Sequence, residues 1–280
     1  SRRSGLDEAD IRKRIAEIWA TMKKSIAIGM SNDGDLLGGF VQRGSGARML
    51  RAINDKKTIS GPMIGISIAR AIAVMETNGC ARCVAAAPTA GSCGVIPGVI
   101  ATMIESRGLD EEIAIDALLV AAMIGTLISM RASLSGSIGG CQSEIGVASA
   151  MAAGALIQIA GGRPDQMSNA VALALKNILG LICDPIAGPV EIPCVKRNSI
   201  GVANAFAAAD MALSELQSVI PTDEVIDALV NTQKLLPSEL KGTMIGGLAS
   251  TPTALRIKRE WENRVRCSIK TTQGILSPAT

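Results

Sequence analysis

The chain has 280 residues, with 28 basic against 25 acidic side chains and a net charge of +3. That is long enough to bury a substantial core, as one large domain or two small ones. With no basic block, two Phe, two Trp and no Tyr, it lacks the charge and stacking surface of a nucleic-acid binder.

Residues 7–30 predict a first helix. Ile11, Ile15, Ile18, Trp19 and Met22 share one face, and Asp7 and Glu8 favour its N-terminus. Charged and amphipathic, this opening is unlike a secretory signal. Residues 31–46 read as a glycine-rich loop: Ser31-Asn32-Asp33-Gly34, then Gly38-Gly39-Phe40. Ser60-Gly61-Pro62 places proline in the first turn of a helix running to about Glu76. A small-residue loop from Ala85 through Gly94 leads into an apolar helix ending near Arg107 and Gly108, and Asp110 caps the next, to about Ser133. The longest apolar run, 117–128, falls short of the about 20 residues a membrane span needs. No membrane segment is therefore expected, and buried, closely packed helices account for the mean hydropathy of +0.34.

A second glycine-rich loop, Ser135–Gly140, precedes Cys141, where an Ala-rich helix begins that Gly161-Gly162 ends. Pro164 opens another helix, to about Leu179. The stretch 183–194 holds Pro185, Pro189 and Pro193 and cannot be regular helix. Asn198 to about Val219 and the segment from Thr222 read as helical. Aromatic alternation and hairpin turn signals are missing. The predicted fold class is all-α: a compact multi-helix domain over 1–280 whose glycine- and proline-rich loops form a cluster site, with residues 1–46 packing on it.

The composition includes no histidine and seven cysteines in no disulfide-framework spacing, which predicts a reducing, cytoplasmic setting. Cys80-Ala81-Arg82-Cys83 is a single C-x-x-C without a second pair and reads as ordinary thiols. Cys141, Cys183 and Cys194 are spaced by 42 and 11 residues, unlike ferredoxin runs or a zinc ribbon. Spacing alone leaves buried small hydrophobes as a competing reading. Their setting points to a metal. Each lies beside glycine or proline, where backbone can approach a bound group closely. Ser143, Glu144, Asp184, Lys196, Arg197 and Asn198 would crowd together if the thiols met.

Three long segments carry a resemblance. They are Ala87-Pro88-Thr89-Ala90-Gly91-Ser92-Cys93-Gly94-Val95-Ile96-Pro97, Gly140-Cys141-Gln142-Ser143-Glu144-Ile145-Gly146, and Cys183-Asp184-Pro185-Ile186-Ala187-Gly188 continuing to Pro193-Cys194-Val195-Lys196-Arg197-Asn198. In that order they resemble the α chain of iron–sulfur-dependent L-serine dehydratases, over about Gly38 to Ala212. The resemblance implies an all-helical catalytic domain and a 4Fe-4S cluster on Cys141, Cys183 and Cys194. One iron then stays open as a Lewis acid for the serine hydroxyl, without pyridoxal phosphate. It implies L-serine as substrate, released as pyruvate and ammonia in amino-acid degradation. The Thr89–Gly94 loop is assigned to the substrate carboxylate through Thr89, Gly91, Ser92 and Gly94; without the resemblance it would read as a helix cap. Ser60 and Arg197 are further substrate-binding candidates. Lys196 and Asn198 join Thr89 and Ser92 as catalytic candidates.

Removal of an α proton calls for a base tuned near neutral pH, most often histidine. Lys196, Glu144 or a cysteine are available, and spacing singles out none of them. The resemblance implies instead a β subunit supplying a histidine base, and so an oligomer, homo- or hetero-. Two alternatives remain at this stage. One is a related lyase acting on L-cysteine or another small β-substituted amino acid. The other is a helical membrane transporter with broken helices around a midplane site.

Overall fold

The computed structural model describes residue 5, residues 7–31 and residues 36–275, with side chains to Arg266. The glycine-rich turn expected at Asn32, Asp33 and Gly34 and the side chain of Cys267 lie outside the described residues. Within them the chain forms α1 (Glu8–Met30), α2 (Ser45–Asn54), α3 (Gly61–Gly79), α4 (Val95–Arg107), α5 (Glu111–Ser129), the single turn α6 (Gly136–Gly139), α7 (Val147–Ile159), α8 (Pro164–Lys176), α9 (Cys194–Leu213), α10 (Thr222–Leu235) and α11 (Pro252–Ile275). No strand occurs among the described residues; one isolated parallel bridge pairs Cys183 with Lys241. The class is all-α, as the sequence predicted.

Two helices organise the packing. α7 is buried on every side from Val147 to Ile157 and touches α4, α5, α8 and α9. A helix apolar all round belongs in a core. Its small residues set the approach distance: a Cβ at Gly154 would overlap the Ile124 side chain of α5. α3 is the second hub. Gly29 of α1 and Gly94, just before α4, each face an α3 carbonyl (Ala73 and Ala71) so closely that any Cβ would overlap it.

The N-terminus of α1 is capped by Asp7, whose Oδ1 accepts the Asp10 N–H at 2.7 Å. Arg12 pairs with Glu112 and Asp116, and Lys23 with Glu111, joining α1 to the first turns of α5. Exposed pairs of this kind contribute little. Burial of Met22, worth about 1.5–3 kcal/mol, does more to hold α1 in place.

Four elements depart from expectation. α2 begins at the end of the expected loop and runs through residues given no element from the sequence, its first N–H groups met by Glu76: Oε1 accepts from Ser45 at 2.8 Å. α9 starts four residues early, at Cys194, because the Glu191 carbonyl already accepts the Val195 N–H at 3.0 Å, and it ends at Leu213. α11 was not assigned; Pro252 in its first turn was the available signal. α5 ends at Ser129, short of the expected Ser133. At 19 residues it is, among the described residues, one helix long and apolar enough to cross a membrane by length and composition. Its Ala114, Ala117, Leu118, Ala121 and Ile124 are nonetheless buried in the core shared with α7.

The glycine contacts predict that Gly29→Ala, remote from the cysteine loops, loses about 1–3 kcal/mol through overpacking. Chemical denaturation measures this; an unchanged midpoint would contradict the packing described.

Candidate metal centre

The Cys141 and Cys183 sulfurs and a Glu144 carboxylate oxygen all lie within 4.8 Å of one another. Backbone contacts create this meeting. Gly140 has φ +79°, and a Cβ there would fall 2.8 Å from the Leu181 carbonyl. Glycine therefore lets the Cys141 segment lie against the segment leading to Cys183. The Gln142 N–H donates to Leu181 O at 2.9 Å. The Gln142 side chain, 1% exposed, bridges the same two segments, donating to Gly139 O at 2.8 Å and accepting from the Gly180 N–H at 2.9 Å. Residues 142–146 then form a π-turn that carries Glu144 beside the thiols; such turns are frequent at functional sites. Cys183 is held by its own N–H on Leu240 O and by the Gly242 N–H on its carbonyl. Glycine leaves the group room: a Cβ at Gly136 would stand 2.6 Å from a Glu144 oxygen and 3.2 Å from the Cys183 sulfur.

Cys194 enters from α9, whose next turn carries Arg197 and Asn198. Asn198 is fully buried, and its amide is committed to backbone: Nδ2 donates to Gly91 O at 2.9 Å and Cys194 O at 3.0 Å, while Oδ1 accepts the Gly94 N–H at 3.2 Å. It thus locks the Thr89–Gly94 loop to the Cys194 turn. Arg197 Nη1 donates to Ile182 O at 2.9 Å and contacts the Cys141 sulfur at 3.5 Å. It also lies 2.9 Å from Asp184 Oδ1. Asp184 Oδ1 is buried and receives no aligned hydrogen bond, so this last contact is an ion pair. Asp184 Oδ2 accepts the Leu248 N–H at 2.9 Å.

These groups compete for charge. The Cys141 thiol is lowered because Cys183 donates to it and Arg197 stands beside it, against the effect of burial. Cys183 is raised, since it serves as that donor and is itself buried. Burial pushes Cys194 up to about 12, reinforced by negative charge on Cys141 and Glu144. Burial likewise raises Glu144, against hydrogen bonds from Thr89 and the Gly136 backbone. Three thiols and a carboxyl in one desolvated pocket oppose each other's ionisation. A cationic centre removes that conflict, and thiolates are the usual ligands of iron–sulfur groups. The donor set and its glycine-lined walls fit a metal site.

The chain's sequence matches the family profile described as serine dehydratase alpha chain over residues 2–249. The chain belongs to that family. It is 45% identical over 217 residues to a probable L-serine dehydratase alpha chain of Bacillus subtilis (strain 168), covering 78% of this chain and 72% of that one. The L-serine dehydratase alpha chain of Peptoniphilus asaccharolyticus is 36% identical over 254 residues, 91% of this chain and 87% of that one. An L-serine dehydratase of Streptomyces coelicolor is 38% identical over 252 residues, 88% of this chain but 55% of its own length. The chain thus spans about half of that longer relative.

In this member of the serine dehydratase alpha chain family, the predicted residues divide. Cys141 and Cys183 meet directly, and Cys194 lies within electrostatic reach of Cys141, Cys183 and Glu144. Thr89 faces the group, donating to Glu144 Oε1 at 2.8 Å with Ser92 Oγ 3.3 Å away, and a Cβ at Gly91 would reach a Glu144 oxygen at 3.0 Å. The loop's N–H groups are less open than predicted. Those of Ser92 and Cys93 bond within the turn, and that of Gly94 goes to Asn198.

Two candidates lie apart. Lys196 is exposed, because its position on α9 turns it away from the buried face that holds Cys194 and Asn198. Ser60 lines a separate cavity with Arg107, Phe206 and Ala209. Fifteen residues along α9 put Ala209 about 22 Å from Cys194, so Ser60 does not reach the cysteine group within this chain. The sequence places Glu144 among the polar groups expected to crowd around the thiols and among the candidate bases, but not as a fellow ligand atom beside Cys141 and Cys183. Asp184 was noted, but not as Arg197's partner. Gly136 falls in the glycine-rich loop read before Cys141, whereas Gly242, whose place at the Cys183 sulfur depends on tertiary packing, gave no signal.

Two outcomes follow. Gly136→Ala fills space between Glu144 and Cys183 and should cut metal uptake on anaerobic reconstitution while helix content by circular dichroism is kept; normal uptake would contradict the cradle. Cys93, fully buried against Met75 and pushed up to about 12 by burial, should resist alkylation near neutral pH in the native protein while exposed Cys83 reacts. Peptide mass mapping distinguishes the two.

Proposed function

We propose that this chain is the catalytic chain of an iron–sulfur L-serine dehydratase, converting L-serine to pyruvate and ammonia. The observation that carries the proposal is the buried Cys141–Glu144–Cys183 group with Cys194 beside it, in a chain 36% identical to an L-serine dehydratase alpha chain over nearly its whole length. Cys141, Cys183 and Cys194 would hold a 4Fe-4S cluster. When bound, such a cluster supplies one iron without a thiolate, a Lewis acid for the departing hydroxyl.

The chain's own residues do the rest. Thr89 and Ser92, on the loop facing Glu144, receive the substrate carboxylate together with the Gly91 backbone. Arg197 steadies the Cys141 thiolate and the Ile182 carbonyl next to Cys183. Asn198 keeps the substrate loop and the Cys194 turn in register. In the reaction the Cα proton passes to a base. The C–H electron pair forms the Cα=Cβ bond as hydroxide leaves Cβ. The aminoacrylate then tautomerises and hydrolyses to pyruvate and ammonium.

The base is not a histidine of these 280 residues, which contain none. Glu144 is engaged by Thr89 and crowded by two thiols. We assign the base to a histidine on a β partner. Two things support this: the relatives named as alpha chains, and the extra length of the Streptomyces coelicolor protein.

The test is pyruvate formation from L-serine by the anaerobically reconstituted chain, with and without a histidine-bearing β chain. The expected result is turnover only with the partner. Cys141→Ala should abolish that turnover together with the visible absorption of the protein. Full turnover by this chain alone sinks the partner-borne base, and a colourless, zinc-bearing protein sinks the cluster.

A further inference from the structure

Glu191 lies three residues before Cys194 and is 1% exposed. Its carboxylate is held by four consecutive backbone N–H groups from the other end of the chain. Gly38 and Gly39 donate to Oε1, the second at 3.2 Å, and Phe40 and Val41 donate to Oε2 at 2.8 and 3.1 Å. The approach needs glycine, since a Cβ at Gly38 would lie 2.7 Å from Oε1. The Glu191 carbonyl meanwhile accepts the Val195 N–H at 3.0 Å, which starts the helical turn bearing Cys194. One residue therefore grips the 38–41 segment with its side chain and the Cys194 turn with its backbone.

The 38–41 segment is itself clamped from α11. Arg264 Nη2 donates to Gly38 O at 2.8 Å. The guanidinium stands over the rings of Phe40, at 5.7 Å, and Trp261, at 5.5 Å, and these rings meet edge to face. A continuous path runs from α11 through Gly38–Val41 and Glu191 to Cys194.

We propose that Glu191 is the positioning residue for Cys194, transmitting the docking of α11 to the cluster-binding turn. This rests on the cluster reading above. A carboxylate suits the role because both of its oxygens accept. Glutamine has the same shape but turns a donor NH₂ toward N–H groups. Groups that orient metal ligands in this way typically change metal retention by about ten-fold or more when replaced.

The experiment compares wild type, Glu191→Gln, Arg264→Ala and a control, all full-length and anaerobically reconstituted. The control is Glu76→Gln, another buried carboxylate that accepts backbone N–H groups, from Ser45 and Gly46, at the start of α2. Iron and sulfide per chain and the rate of bleaching in air are read alongside helix content. Glu191→Gln should bleach about ten-fold faster than wild type with helix content kept. Arg264→Ala, which touches the path at its surface end, should shift the same way by less. Glu76→Gln should match wild type.

Wild-type iron content and bleaching in Glu191→Gln would overturn the inference. So would equal acceleration in Glu76→Gln, or loss of helix in step with loss of iron, since either marks a general structural role. A wild-type chain that takes up no iron and sulfide overturns the cluster reading, and this inference with it.

Discussion

Mutual repulsion among buried acids is the constraint on which this structure turns. Cys141, Cys183, Cys194 and Glu144 crowd together away from water. Burial raises Cys194 and Glu144, and negative charge on Cys141 and Glu144 adds to the rise at Cys183 and Cys194. Cys141 alone of the four is lowered, by hydrogen bonds from Cys183 and Arg197. Arg197 offsets part of this at Cys141 and is itself paired with Asp184. In water such groups would titrate separately; here burial joins them, so a bound cation and the ionised ligand set favour each other. That coupling explains why the surroundings are invested in backbone hydrogen bonds and glycine. Little freedom is left for the thiols to separate.

The fold serves this by bringing distant segments together at close range. Gly140 and Gln142 tie the start of the α7 region to the stretch before Cys183, and Asn198 ties the Thr89–Gly94 loop to the start of α9. These contacts depend on α3 and α7, whose neighbours approach closely because the residues between them are small. A core of Ala, Gly, Val and Ile packed this way loses rotamer freedom cheaply and holds loop ends with little play. The site is precise because the helices beneath it cannot slide.

Much of this was legible in the sequence. Helix boundaries marked by Asp7, Pro62, Gly108 and Pro164 came from local cap and turn chemistry, which acts within a few residues. The meeting of Cys141 and Cys183 was legible from the segments that carry them. What the sequence concealed depended on tertiary contact. Ser60 was a substrate-binding candidate but lines a cavity toward the other end of α9, the length of that 20-residue helix away from Cys194. Lys196 follows buried Val195 and is exposed, since adjacent positions on a helix face different directions. α11 and the grip of Glu191 on Gly38–Val41 join residues some 150 positions or more apart, beyond any local pattern.

The central proposal is that three cysteines of this chain would leave one iron of a four-iron cluster open to L-serine. Mössbauer spectroscopy of the iron-labelled, anaerobically reconstituted protein tests it most directly. The account predicts three similar sulfur-ligated irons and one distinct iron, whose signal alone shifts when L-serine is added. Four equivalent irons indifferent to L-serine would contradict it.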